Sequence, residues 1–261
     1  MKANYLLGLA IIVALGILVQ PGYARIDPNS IVAMWLFDED EDDIFVDSSE
    51  NGRDAMAYGN ISFVDGKYGK ALELDGTVYG EVDPQLSEAF TLPVFTVAAW
   101  IGDKEVSGHQ YVLCKGGVSA NRNYIMNIQD ATGLFVSGFS DKGGWHAVTS
   151  TTNVADGGWH HLVGTYDGKN FKVYVDGVLE KDQALAGPPM ENNVPFRIGR
   201  GEGTAYQFHG LIDEILIADV ALDEGEIKSI MNLGLERATG LIAVFPSDRL
   251  ATTWVSIRTG D

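Results

Sequence analysis

From Ile31 onward the chain runs in short alternating stretches of apolar and polar residues, punctuated by Gly and Asp. Ile31, Ala33, Trp35 and Phe37 alternate with their neighbours, as do positions within Val94–Ile101 and Phe171, Val173 and Val175. A period of two places every second side chain on one face, so these stretches predict half-buried strands. Asp-Gly pairs lie between apolar runs at Asp65-Gly66, Asp75-Gly76, Asp167-Gly168 and Asp176-Gly177. Tight hairpins favour such pairs, because their two turn residues take positive φ. About a dozen strands at this spacing predict an all-β sandwich.

One segment breaks the alternation. Asp223 stands three residues before Glu226, the spacing of a capping box, and Leu222 can staple onto Ile227. Ile227, Ile230 and Met231 fall on one helical face, and Gly234 supplies a stop. One short C-terminal helix is therefore expected at the edge of the sandwich.

The two ends differ from this body. Lys2 precedes an uncharged apolar run from Tyr5 to Val19; Pro21, Gly22 and Ala24 then set small residues before Arg25. Residues 1–24 are read as a secretory signal peptide, since the run is short of the roughly 20 residues needed to span a bilayer. The body is expected over 25–233, as a single domain. Residues 234–261 form a tail of another character, in which Leu241–Phe245 and Leu250–Ile257 read as two further strands or a docking peptide.

Composition narrows the picture. Cys114 is the one cysteine, so no intrachain disulfide is possible; within Tyr111-Val-Leu-Cys114 it reads as a small buried apolar residue. The net charge is −18, from 36 acidic and 18 basic residues. That field repels nucleic acid and anionic membranes, and no basic stripe offsets it. The run Asp38-Glu-Asp-Glu-Asp-Asp43 reads as a solvated loop.

Four segments together carry a family resemblance. They are Trp35-Leu-Phe-Asp38 with Asp47-Ser-Ser-Glu-Asn51-Gly52-Arg-Asp54; Gly69-Lys-Ala-Leu-Glu-Leu-Asp-Gly76; Gly158-Trp159-His160-His161 through Tyr166-Asp-Gly168 to Asp176-Gly177; and Gly210-Leu-Ile-Asp213-Glu214-Ile215 leading to the capped helix. In order and spacing they resemble the laminin-G-like, concanavalin A-like lectin and glucanase jelly-roll domains. The resemblance implies a two-sheet jelly roll and does not extend to the tail. Glu50 stands where members of the family usually have Gly, a departure that marks the first loop.

The candidate chemistry is sparse. Glucanases that share the fold are similar to one another in a Glu-x-Asp-x-x-Glu strand. Glu73 and Asp75 match its first half, but residue 78 is Val. Adjacent His160 and His161 point to opposite faces of a strand and cannot chelate together. No nucleophile elbow, phosphate loop or dinucleotide fingerprint occurs.

Alternation puts Leu211, Asp213, Ile215 and Ile217 on one face, where a buried acid needs a partner or a metal. The resemblance brings the first and last strands together, and with them Asp38, Asp213, Asp47 and Asn51, an oxygen set suited to structural calcium. The competing reading is that these acids accept backbone N–H groups and stiffen turns. Trp145 and Tyr206, in Gly-rich surroundings, are candidates for stacking on sugar rings.

The expectation is an exported monomeric module, secreted, periplasmic or at the cell surface. It is non-catalytic, calcium-stabilised and binds an extracellular glycan. A surface-protein adhesion module is the alternative, and a polysaccharide hydrolase the third reading.

Overall fold

A computed structural model describes residues 23–38, 43–103, 108–117, 121–185, 187–202 and 206–241. Residues 1–22 of the signal-peptide reading, most of the acidic run and all but Leu241 of the two tail strands fall outside these residues.

The sixteen strands among the described residues begin with β1 (Ile31–Trp35), β2 (Ile44–Phe45), β3 (Ala55–Tyr58), β4 (Ser62–Asp65), β5 (Lys70–Asp75) and β6 (Tyr79–Val82). They continue with β7 (Phe95–Asp103), β8 (Gln110–Gly116), β9 (Arg122–Ile128), β10 (Leu134–Asp141) and β11 (Gly144–Asn153). The last are β12 (Trp159–Tyr166), β13 (Asn170–Val175), β14 (Val178–Ala184), β15 (Phe196–Ile198) and β16 (His209–Ala218). They form two antiparallel sheets. The first has the order β14-β13-β12-β7-β16-β5-β4, with β1 also on β16; the second runs β11-β10-β9-β8-β15-β6-β3-β2. This is the jelly-roll sandwich.

Residues from the facing sides of both sheets meet in one core. Trp35, Phe90 and Phe196 stack within it, with ring centroids 4.6–6.1 Å apart. Tyr166, Phe139, Phe95 and Phe171 form a second aromatic group. Each fully buried large side chain contributes about 1.5–3 kcal/mol. Cys114 is buried as expected, and burial pushes its thiol up to about 12, which keeps it inert.

The turns sort the Asp-Gly pairs. Asp176 and Gly177 both have positive φ, 50° and 73°, and join β13 to β14 as a two-residue hairpin. Asp75-Gly76 does not close a hairpin. It carries the chain from β5 in the first sheet to β6 in the second, and Asp75 Oδ1 accepts from Thr77 N at 2.8 Å.

The capped helix is α1 (Glu224–Leu233), and its capping box is complete: Asp223 accepts from Glu226 N, and Glu226 accepts from Asp223 N. A second, five-residue helix, α2 (Leu235–Thr239), follows it. Ile26 N donates to Ala238 O, so α2 is held by the start of the domain. Ile227, Ile230, Leu235 and Ala238 pack with Met34, Leu36, Ala98, Val163 and Leu216 over the outer side of the first sheet. Both described α-helices thus cover one sheet. Among the described residues no helix lies over the outer side of the second sheet.

Candidate functional site

On that uncovered side, strand alternation turns particular residues outward. Tyr124, Met126 and Ile128 of β9 enter the core; Ile125 and Asn127 between them face out. On β10, Phe135 and Phe139 point in, leaving Val136 and Gly138 outside. On β11, Val148 points in, while Trp145, Ala147 and Thr149 face out. Ile125, Asn127, Val136, Trp145, Ala147 and Thr149 line a groove of about 490 Å³ with Tyr111 of β8 and Tyr206. His109, Arg122, Gln129 and Glu202 complete the wall. Aromatic faces beside amide, hydroxyl and charged groups are the makings of a polar ligand site.

The aromatic residues are held in place. The Arg122 guanidinium stands 5.1 Å from the Trp145 ring centroid and 5.6 Å from that of Tyr111. Its Nε donates to Gly117 O at 3.2 Å. Such cation–π contacts contribute roughly 0.5–1 kcal/mol each when partly exposed. Tyr206 lies 5.1 Å from Tyr111 and 6.0 Å, edge-on, from His109. Its backbone φ is 64°, a strained value for a non-glycine residue, and its carbonyl accepts from Tyr111 N at 3.2 Å. Burial pushes the Tyr111 phenol up to about 12, so it remains a protonated donor. Asn127 Nδ2 lies 3.4 Å from His109 Nδ1.

Trp145 and Tyr206, picked from sequence as separate candidates, therefore line one groove. Sequence alone does not single out Tyr111, Arg122 or Asn127. The alternation on β9 carries a signal for Asn127, which falls out of phase with Tyr124, Met126 and Ile128.

The four predicted calcium ligands do not form one site. Asp47 is fully buried and its carboxylate is taken up by backbone: Oδ1 accepts from Met34 N and Ser49 N, both at 3.0 Å, and Oδ2 from Arg53 N at 2.9 Å. Asn51 presents its amide nitrogen, donating to Ile31 O at 2.9 Å and Val32 O at 3.2 Å. Both tie the 47–54 loop to β1, the turn-stiffening role.

Asp38 and Asp213 do come together, around the turn at 66–70. Asp213 Oδ2 accepts from Lys67 N at 2.9 Å and Tyr68 N at 3.0 Å; Asp38 Oδ1 accepts from Lys70 N at 2.7 Å. Asp213 Oδ1 is buried without a hydrogen-bond partner. Burial raises Asp213 to about 7 and Glu214 to about 8, and raises Asp38 as well. Among the described residues, no group of three or more His, Cys, Asp or Glu is placed to hold a metal ion. Asp47 and Asn51 thus lie at the 47–54 loop, and Asp38 and Asp213 at the turn over 66–70.

A bulge also corrects the face assigned to Asp213. Pairing with β7 slips between Asp213 and Leu216, and Glu214 has φ 53°. Ile212, Ile215 and Ile217 consequently share the core, and Leu216 turns to the helix side. The paired histidines part as expected: His160 bonds Asp176 and Asp156, while His161 is buried.

Comparison with known proteins follows the fold. No curated protein sequence matches the chain. Domain 4 of AbnA, a GH43 extracellular arabinanase from Geobacillus stearothermophilus solved with arabinotriose, is similar at 22% identity and TM-score 0.63. That match covers 78% of this chain and 98% of the domain. A botulinum neurotoxin type C structure, reported with cell entry through two ganglioside molecules, is 13% identical with TM-score 0.60. The match covers 78% of this chain and 51% of that one. The binding domain of botulinum neurotoxin DC with rat synaptotagmin II is 13% identical with TM-score 0.60, over 79% of this chain and 52% of that one. The chain spans about half the length of these two toxin structures. A profile of the laminin-G type matches residues 75–228, and on that match the chain belongs to the concanavalin A-like lectin/glucanases superfamily.

Proposed function

We propose that the chain is an exported, non-catalytic module that binds carbohydrate in the groove on the second sheet. The observation that carries this reading is the meeting of Trp145, Tyr206 and Tyr111 around Arg122 in one open groove. Flat aromatic faces pack against the C–H faces of sugar rings, and Asn127, Gln129, Thr149 and Glu202 offer partners for hydroxyls. The arabinotriose complex of a domain with the same fold supports this class of ligand.

The carboxylates favour binding over hydrolysis. A glycosidase generally needs two, flanking the scissile bond. Among the described groove residues Glu202 is the single carboxylate. Glu73 and Asp75, the half-match to the glucanase strand, lie on β5 in the first sheet; Asp75 caps the corner at Thr77. Export rests on residues 1–24; no helix among the described residues is long and apolar enough to cross a membrane.

The test is retention on a panel of immobilised polysaccharides, comparing the wild type with W145A and Y206A. Retention of the wild type, weakened at least tenfold in each variant while the fold is kept, is the expected result. Retention unaffected by both substitutions removes the groove from the account. A protein ligand is the second reading, favoured by the synaptotagmin complex of a neighbour with the same fold. It predicts no polysaccharide retention at all.

A further inference from the structure

The chain carries twice as many acidic as basic residues, yet arginines gather on the outer side of the second sheet. Arg122 sits on β9 and Arg197 on β15, with β8 between them. Two strand spacings separate them across the sheet, roughly 10 Å, with a further offset along it, since Arg122 pairs with Gly116 and Arg197 with Cys114. The register confirms a common face: Arg197 pairs with Cys114, and Cys114 with Ile125, which lines the groove. Arg200 follows in the segment after β15, its guanidinium 4.0 Å from the Tyr79 ring centroid. Tyr79 in turn stacks on exposed Tyr58 at 4.6 Å, with rings 8° apart. The groove and this tyrosine stack are therefore two stations on one face, with arginines at each and between them.

The pairing of these charges is unusual for so acidic a chain. Arg197 Nε bonds Glu81 Oε2 at 2.8 Å. Arg122 and Arg200 have no salt-bridge partner among the described residues; both are packed on aromatic rings instead. Among the described groove residues Arg122 stands with a single carboxylate, Glu202, and Arg197 is paired with Glu81. The surrounding negative field is screened beyond about 8 Å at physiological salt, so a ligand in the groove responds chiefly to these nearby groups. Guanidinium forks match carboxylate and sulfate oxygens.

We propose that the glycan taken by this face is an acidic polysaccharide, bearing carboxylate or sulfate groups that meet Arg122, Arg197 and Arg200. Its sugar rings pack on Trp145, Tyr111 and Tyr206 and extend toward the Tyr79–Tyr58 stack. This rests on the carbohydrate reading and specifies its substrate class.

The experiment is affinity electrophoresis of the whole exported chain in gels containing polygalacturonate, carrageenan, a neutral galactan or a neutral arabinan, with polyglutamate as a sugar-free polyanion. Retention by polygalacturonate identifies a uronate ligand, and retention by carrageenan a sulfated one. Either is expected to exceed the neutral polymers at least tenfold and to weaken as salt is raised. R200Q is expected to lose most of that preference and R200K to keep it, at unchanged melting temperature. Equal retention by neutral and acidic polysaccharides overturns the proposal and leaves the carbohydrate reading standing. Equal retention by polyglutamate overturns it as mere charge attraction. No retention on any polysaccharide overturns both.

Discussion

The tip of the Trp145 indole closes over Gly138: a Cβ at residue 138 would stand 3.0 Å from Trp145 Cη2 and 2.1 Å from the carbonyl oxygen of His146. The absent side chain on β10 is thus what lets the ring lie down on the sheet. G138A is expected to push β11 outward and tilt the indole. Overpacking of this kind costs about 1–3 kcal/mol. For a domain of this size that lowers the melting temperature by roughly 2–4 °C per kcal/mol. Polysaccharide retention should fall with it, because the stacking surface is displaced. Wild-type melting and retention in G138A would mean the ring is not seated this way.

What was legible in the sequence was local. The capping box at Asp223–Glu226 and the Asp176-Gly177 turn need only residues a few positions apart, and both appear as read. The bulge at Asp213–Glu214 was not legible, because it is defined by slippage against β7, more than a hundred residues earlier. Helix α2 depends on Ile26 and Arg25 at the other end of the domain. The groove shows the same division. Trp145 and Tyr206 stand out as aromatic residues among Gly, but their convergence is set by strand order. Neither Tyr111 nor Arg122 has any sequence proximity to them.

Asp47 is expected to matter for stability and not for cation binding. It is 0% exposed and accepts three backbone N–H bonds. D47A strands those donors, and an unmet buried donor costs about 1–3 kcal/mol. A loss of at least about 3 kcal/mol is expected in urea unfolding. That loss should be the same with calcium and with chelator, since the Asp47 oxygens are already occupied. A midpoint that drops with chelator and returns with calcium would instead place a cation at the unpartnered Oδ1 of Asp213.

Stability should carry a pH signature from Glu214 and Asp213. Burial, the largest cause, raises Glu214 from 4.5 to about 8 and Asp213 from 3.8 to about 7. Folded values above unfolded ones mean the folded chain holds these protons more tightly. Their contribution is complete below about pH 4 and is lost as pH rises through about 7 to 8. His161, lowered to about 3 by burial, acts oppositely: its contribution is present above about 6.5 and lost as pH falls. The informative quantity is therefore the difference between wild type and E214Q. Gln can still accept from Leu235 N, the bond Glu214 makes at the start of α2. E214Q should gain on the wild type between pH 5 and 9, by on the order of a few kcal/mol. A difference that stays flat across that range would show that Glu214 titrates normally.

Tyr206 is expected to separate stability from binding. Its φ of 64° is a conformation that costs a non-glycine residue about 1 kcal/mol or more, and Asn tolerates it better. Y206N relieves that strain but loses the ring contact with Tyr111, so the two changes offset. The melting temperature should move by no more than about 3 °C, given roughly 2–4 °C per kcal/mol. Retention on whichever polysaccharide binds the wild type should fall about tenfold, the loss of roughly 1.4 kcal/mol of contact. If Y206N instead unfolds the protein, the tyrosine serves chiefly to pack the loop against Tyr111. Binding at wild-type strength would show that the strained ring does not touch the ligand. The expected result, a stable fold with weakened binding, would identify Tyr206 as a residue whose strained backbone is retained for the ligand.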